Sequence, residues 1–181
     1  MKIDYKFDEN DFLTYQLFVV SKSEFIKRKR KKNNLILSLI FVVFGLLFLI
    51  QNKVPLTISF LIIGILWYFI YPLWEKRYYI KYYKGFINEN YKDRFGRTAT
   101  IEFTNDYILG IENGSESKIM TTEIEVINEI PTFIFIMLKG GHSLILAKNK
   151  IADSESLKVR LKELANHLQI KYDTDDKWEW E

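Results

Sequence analysis

Residues 33–74 read NNLILSLIFVVFGLLFLIQNKVPLTISFLIIGILWYFIYPLW and decide the fold. They contain two apolar runs, Leu35–Ile50 and Val54–Trp74, and Lys53 is the only charged residue among them. A helix needs about 20 apolar residues to cross the hydrocarbon core of a bilayer, and about 17 is the lower limit. The second run meets this requirement, and the first meets it once the preceding asparagines lie among the headgroups. We predict two transmembrane helices, since core helices of soluble proteins rarely avoid charge for this long.

The two runs are joined by Gln51-Asn52-Lys53, a link so short that the helices must form an antiparallel hairpin. Small and hydroxyl-bearing residues inside membrane helices allow close approach and hydrogen bonding between them. We expect the helix-packing positions to be Ser38, Gly45, Ser59 and Gly64. No ionisable residue lies in the middle of either run, so the sequence predicts neither a proton relay nor an ion path.

Basic residues lie before the first apolar run and after the second, and few lie in the loop between them. Residues 27–32 carry a charge of +6 just before the first run, and the loop holds a single lysine. Four more cations follow the second run, at Lys76, Arg77, Lys81 and Lys84. Lysine and arginine beside short membrane spans stay in the cytoplasm. We therefore predict a protein of the bacterial inner membrane with two spans and both termini in the cytoplasm.

The flanking cations are also candidate lipid ligands, because each lysine or arginine close to an anionic leaflet contributes about 1 kcal/mol of attraction. The candidate headgroup contacts are Lys27, Arg28, Lys29, Arg30, Lys31, Lys32, Lys76, Arg77, Lys81 and Lys84. Amphipathic aromatic rings concentrate at the membrane–water boundary. The candidate interfacial aromatics are Trp67, Trp74, Tyr78, Tyr79 and Tyr82. We expect the bilayer, and anionic lipid in particular, as a partner; the alternative is that these charges only set the topology.

The segments next to the hairpin predict a strand and two helices. Residues 2–7 alternate polar and apolar, as a short strand does. Asp8-Glu9-Asn10-Asp11 then supplies capping residues and negative charge for a helix start. We assign residues 1–32 to an N-terminal strand and amphipathic helix with a basic end, 33–74 to the transmembrane hairpin, and 75–96 to a juxtamembrane helix.

From Arg97 onward the pattern is that of antiparallel strands. The predicted strands cover residues 98–104, 107–112, 117–130 (one strand or two), 132–138 and 143–147, and Asn113-Gly114 is a strong hairpin signal. Leucines at spacings of four, three and four then place one apolar stripe on a helix over 154–170. We predict an α+β membrane protein in which residues 97–170 form a small antiparallel β barrel or bent sheet capped by this helix. Residues 171–181 are predicted to be a disordered acidic tail.

The element order resembles that of a known family. It is carried by residues 107–151, YILGIENGSESKIMTTEIEVINEIPTFIFIMLKGGHSLILAKNKI, with the leucine-striped helix after them and the strand, helix and hairpin before them. This arrangement resembles the bacterial YcxB-like membrane proteins over nearly the whole chain. The resemblance implies a C-terminal domain of pleckstrin-homology (PH) type, and it implies no catalytic or ligand-binding residues.

The sequence gives little support to catalysis or metal binding. It has no cysteine and only two histidines, His142 and His167, which excludes a disulfide scaffold, a thiolate nucleophile and a multi-histidine metal site. It contains no nucleophile-elbow, phosphate-loop or dinucleotide-binding motif. Among Glu123, Glu125 and Glu129, the first two share one face of a strand, most simply the solvated face. We therefore predict no enzyme activity, no cofactor and no bound metal.

Two functions remain open at this point. In the first, a PH-like module anchored in the inner membrane binds lipid or a protein or peptide partner at the cytoplasmic lipid surface. In the second, the chain is an immunity or regulatory protein whose transmembrane hairpin binds a membrane-active toxin or another membrane protein. Nucleic acid is not expected as a partner, because residues 98–181 carry a charge of −6 and the cations flank the hairpin.

Overall fold

The computed structural model describes residues 1–92, 95–112 and 114–180. Within them the protein is α+β, with four α-helices and two four-stranded sheets. The chain divides into two compact units. The sheet unit consists of Met1–Tyr15 and Phe86–Glu179, and the helical unit consists of Gln16–Gly85 together with Trp180. In chain order, the helical unit is therefore an insertion within the sheet unit.

Three helices precede the main run of strands: α1 (Glu9–Lys22), α2 (Glu24–Ile50) and α3 (Val54–Asn90). The chain breaks between α1 and α2 because Ser23 is extended and its side chain accepts a hydrogen bond from the backbone N–H of Ile26. The predicted juxtamembrane helix is not a separate element. It is the continuation of α3, which runs through Pro72 without a break.

The α2–α3 connection is a tight left-handed turn. Asn52 has a φ of 60°, a conformation that asparagine tolerates better than most residues. The backbone N–H of Asn52 donates to the Leu49 carbonyl, and that of Lys53 donates to the Phe48 carbonyl, each at 3.0 Å. These bonds satisfy two of the carbonyls that the end of α2 leaves without an intrahelical partner.

Both α2 and α3 are long and apolar enough to cross a membrane. Only 11% of the most apolar window of α2 is buried, and only 17% of that of α3. The core helix of a soluble protein would be mostly buried instead. The helical unit is therefore consistent with a two-span membrane protein.

The first sheet has the order β1-β2-β3-β4 and is antiparallel throughout. Its strands are β1 (Lys2–Lys6), β2 (Thr98–Phe103), β3 (Tyr107–Glu112) and β4 (Ser115–Met120). Ile3 lies opposite Ile101, and both are buried. The hairpin predicted at Asn113-Gly114 is partly visible, since Glu112 pairs with Ser115 and Gly114 has a φ of 79°; Asn113 lies outside the described residues.

The second sheet has the order β7-β6-β5-β8. Its strands are β5 (Ile124–Glu129), β6 (Phe133–Leu138), β7 (Ser143–Ala147) and β8 (Lys171–Thr174), and helix α4 (Ser154–Leu168) lies between β7 and β8 in the chain. Four consecutive residues of β6 are buried, and so are Leu157, Leu161 and Leu164 of α4. These apolar side chains form the core of the sheet unit.

Two predictions for this region are wrong. Of the two predicted forms, a barrel or a bent sheet, the barrel is wrong, because β4 and β5 belong to different sheets and a short 3-10 turn, Thr121–Glu123, separates them. The acidic tail is not disordered at its start, because residues 171–174 form β8, which pairs in parallel with β5. Strand pairing satisfies backbone N–H and C=O groups whatever the side chains are, so a polar and acidic segment can still form a strand at the edge of a sheet.

Candidate functional site

The basic run predicted as a lipid contact occupies the first turns of α2. Arg28, Lys29, Lys31 and Lys32 are exposed, and Lys27 is exposed while pairing with Glu24 one turn earlier at 3.0 Å. Helical geometry spreads six consecutive cations around the full circumference of the helix. One of them therefore has to face α3.

That residue is Arg30. Its Nε lies 2.9 Å from Oε2 of Glu75 on α3, and the side chains are 19% and 9% exposed. The guanidinium also lies 5.0 Å from the ring centre of Trp180 and 5.7 Å from that of Tyr79. Arg30 is thus enclosed by a carboxylate and two aromatic rings, so it is the least accessible of the predicted headgroup ligands on α2.

The cations on α3 begin directly after Glu75. Arg77, Lys81 and Lys84 are exposed and Lys76 is half-buried. Because the Arg30–Glu75 pair joins the basic part of α2 to this part of α3, both groups of cations lie at the same end of the hairpin. The opposite end carries only Lys53.

The predicted interfacial aromatics fall into two sets. Trp74, Tyr78 and Tyr82 are exposed and form a ladder one turn apart, with ring centres 5.5 Å and 6.3 Å apart and nearly parallel planes. Trp67 and Tyr79 are half-buried, and Tyr79 contacts Trp180. Of the predicted interfacial aromatics, only the three ladder residues are exposed, and they lie among the basic residues of α3.

The predicted helix-packing residues also separate. A Cβ on Gly64 would lie 3.1 Å from Cβ of Phe41 and 3.3 Å from the Ser38 carbonyl oxygen, and one on Gly45 would lie 3.3 Å from Leu61. Ser38 is buried with them. Ser59 instead lies on the exposed side of α3, where its hydroxyl donates to the Pro55 carbonyl at 2.9 Å. The close approach of α2 and α3 thus depends on the two glycines.

Sequence reasoning missed a buried carboxylate in the sheet unit. Glu129, at the end of β5, is buried, and it accepts hydrogen bonds from Lys148 at 2.6 Å and from the Tyr172 hydroxyl at 2.8 Å. Lys158 of α4 lies 3.0 Å away. Burial acts to raise the pKa of Glu129, but these donors outweigh it and hold the pKa below its usual value.

A second buried network surrounds Asp11 near the start of α1. Its Oδ2 accepts from the Tyr5 hydroxyl at 2.9 Å, the backbone N–H of Asp8 at 3.0 Å, and Lys150 at 2.7 Å. Lys150 also pairs with Asp8. Burial acts to lower the pKa of Lys150, but the two carboxylates outweigh it and raise the pKa above its usual value. Both networks are fully paired within the sheet unit, which is typical of structural ion pairs.

The remaining titratable candidates do not converge. His142 and His167 are both exposed, on the β6–β7 turn and on α4. Glu123 and Glu125 are exposed, in the 3-10 turn and on β5. Within the part of the chain that the structure describes, no three acidic, histidine or cysteine residues form a group that could hold a metal ion.

No protein-family model and no curated protein matches this chain.

Proposed function

We propose that the protein is a two-span protein of the bacterial inner membrane that binds anionic lipid at the cytoplasmic surface. The observation that carries this proposal is the 2.9 Å ion pair between Arg30 and Glu75, which brings the two basic segments to one end of the hairpin. Most of the exposed apolar side chains of α2 and α3 lie between this basic end of the hairpin and its connecting turn. That is the sequence of layers that a helix pair meets on leaving a bilayer.

Anionic headgroups suit the exposed cations of this end. The attraction of each lysine or arginine to the negative leaflet falls off within a Debye length, so only cations at the surface contribute. Arg28, Lys29, Lys31 and Lys32 on α2 and Arg77 and Lys81 on α3 are exposed. The ladder of Trp74, Tyr78 and Tyr82 supplies rings with polar edges at the same level, where such rings partition favourably.

The sheet unit is the part of the protein that we assign to the cytoplasm, with both chain termini. Its seven strands from β1 to β7 in two sheets, with helix α4 after β7, support a PH-type fold, in keeping with the resemblance to YcxB-like proteins, and the short strand β8 follows the helix.

Native mass spectrometry of the full-length protein tests lipid binding directly. The protein is extracted in a mild detergent and offered equal amounts of phosphatidylglycerol and phosphatidylcholine with matched acyl chains. We expect phosphatidylglycerol to be retained in excess. Replacing Lys27, Arg28, Lys29, Lys31 and Lys32 with glutamine should remove most of this excess, while replacing the exposed lysines at 2, 6, 162, 171 and 177 should leave it unchanged.

The five-residue change on α2 also alters the charges that set topology, so a second variant is needed. Arg77→Gln with Lys81→Gln leaves the α2 run intact and should lower phosphatidylglycerol retention by a smaller amount. Equal retention of the two lipids by the unmodified protein would refute the proposal. A stoichiometric protein that stays bound after extraction from the host membrane would instead favour the immunity or regulatory role.

A further inference from the structure

Strand β4 is an unpaired edge of the first sheet. It hydrogen-bonds to β3 on one side, and no other described strand pairs with its outer side. Five of its six residues are exposed, and Ile119 is half-buried. An edge of this length with no proline and no bulge is a template for adding another strand.

The other three sheet edges are less available. On β7, the backbone N–H of Ala147 donates to the Tyr5 hydroxyl, so part of that five-residue edge is already occupied. Strand β8 has only four residues. On β1, Lys150 approaches the carbonyl of Lys6 at 3.4 Å. Among the described strands, β4 is thus the one whose edge is both long and uncovered.

We propose that two copies of the chain associate through β4, antiparallel and centred on Ser117, so that two first sheets join into one of eight strands. A two-fold axis through Ser117 places Ser117 opposite its own copy and Ser115 opposite Ile119 of the other copy. It also places Glu116 of each copy opposite Lys118 of the other, which gives two pairs of unlike charge. Directly opposite side chains of unlike charge stabilise a strand pair, and like charges destabilise it.

The charges select this register over its neighbours. Shifting the pairing by two residues in one direction sets Glu116 opposite Glu116, and shifting it in the other sets Lys118 opposite Lys118. A one-residue shift turns the face that carries Ile119 to the opposite side of the joined sheet. Glu116 and Lys118 are both exposed and so are available for pairing, although Lys118 also lies 4.2 Å from the ring centre of Tyr107.

Disulfide trapping tests the register, because the natural chain has no cysteine. Opposite residues in an antiparallel pair have Cα atoms about 4.5–5.5 Å apart, which is within reach of a disulfide. We expect Ser117→Cys to form a covalent dimer when isolated membranes are treated with copper phenanthroline as the oxidant. Ser115→Cys is the matched control, since its two copies would lie about 14 Å apart along the strands. Equal cross-linking of the two variants would overturn the proposed register.

Charge reversal tests the association itself. Glu116→Lys places four lysines at the interface and should weaken the dimer about tenfold or more, as measured by mass photometry in nanodiscs. Adding Lys118→Glu to Glu116→Lys restores two unlike pairs and should restore the dimer. The proposal is overturned if the unmodified chain is monomeric throughout, or if the single and double variants dimerise alike. None of these outcomes depends on lipid binding.

Discussion

The hydroxyl of Tyr172 donates a 2.8 Å hydrogen bond to Oε2 of Glu129 and so fastens the last strand of the sheet unit to β5. Beside it, the backbone N–H of Asp175 donates to the Glu129 carbonyl at 2.9 Å. One glutamate thus holds β8 through both its side chain and its main chain. These two bonds add to the pairing of β8 with β5, which covers only four residues.

Removing the hydroxyl should therefore destabilise the sheet unit. We expect Tyr172→Phe to cost about 1.5–3 kcal/mol, the range for a hydrogen bond to a charged group. Thermal unfolding of the full-length protein in detergent measures the change. The matched control is Tyr107→Phe on β3, which removes a hydroxyl from a half-exposed ring and should change stability by about 0.5 kcal/mol or less. Equal effects of the two changes would contradict the role given to Tyr172.

The pKa of Glu129 makes stability depend on acid. A carboxylate whose pKa is lower in the folded state stabilises the fold at pH values above its unfolded pKa, about 4.3 for glutamate. This stabilisation is lost as the pH falls through the folded-state pKa. We expect the unfolding temperature to decline below about pH 5, and Glu129→Gln to reduce stability at pH 7 while flattening the decline. If the unfolding temperature of Glu129→Gln declines as much in acid as that of the unmodified protein, other groups cause the decline. Asp8, whose pKa is also lowered, is the first of these to test.

The Arg30–Glu75 pair predicts a difference between two arginines on α2. Arg30→Gln leaves the buried Glu75 carboxylate without its cation, a loss that costs about 3–5 kcal/mol at buried pairs. Arg28→Gln removes an exposed charge and should change stability by about 0.5 kcal/mol or less. Thermal unfolding in one detergent compares them. Similar stability of the two variants would show that the pair contributes little.

Two glycines on α3 should respond in opposite directions. Gly64→Leu places atoms where Phe41 and the Ser38 carbonyl already lie, so it should push α2 and α3 apart and lower the unfolding temperature by several degrees. Gly85→Ala meets no atom within 4 Å and should stabilise α3 by up to about 1 kcal/mol through helix propensity. A destabilised Gly85→Ala, or an unchanged Gly64→Leu, would contradict this reading of the helix contact.

Patterns of period and length predicted most elements of this fold. The strands β2, β3, β5, β6 and β7 and the helix α4 fall within their predicted ranges to within a residue or two, because alternation and the leucine stripe are strong local signals. Strand β8 was missed because KYDT has no apolar alternation, and its pairing with β5 is decided by distant residues. The continuity of α3 was missed because the change from apolar to basic residues along the chain does not interrupt the helix.

The candidate site was predicted less completely. The candidate lipid contacts could be named from the sequence because they are the basic residues beside the apolar runs, and charge can be counted without knowing the fold. Enclosed pairs such as Arg30 with Glu75, or Lys148 with Glu129, depend on which side of a helix or strand each residue faces and on what lies across from it. Trp180 lies six residues after Thr174, the last residue of β8, and nothing in the sequence around it indicated that it is buried.

The pairing of β1 with β2 also fixes an order of events during synthesis. Lys2 lies opposite Glu102, so β1 has to wait until about a hundred further residues have left the ribosome before it can join its sheet. At about 5–20 residues per second, this delay is at least about 5 s. Every residue of α2 and α3 is synthesised within that interval. The helical hairpin can therefore be completed while the first sheet is still open, and β1 joins its sheet only after both long helices have been made.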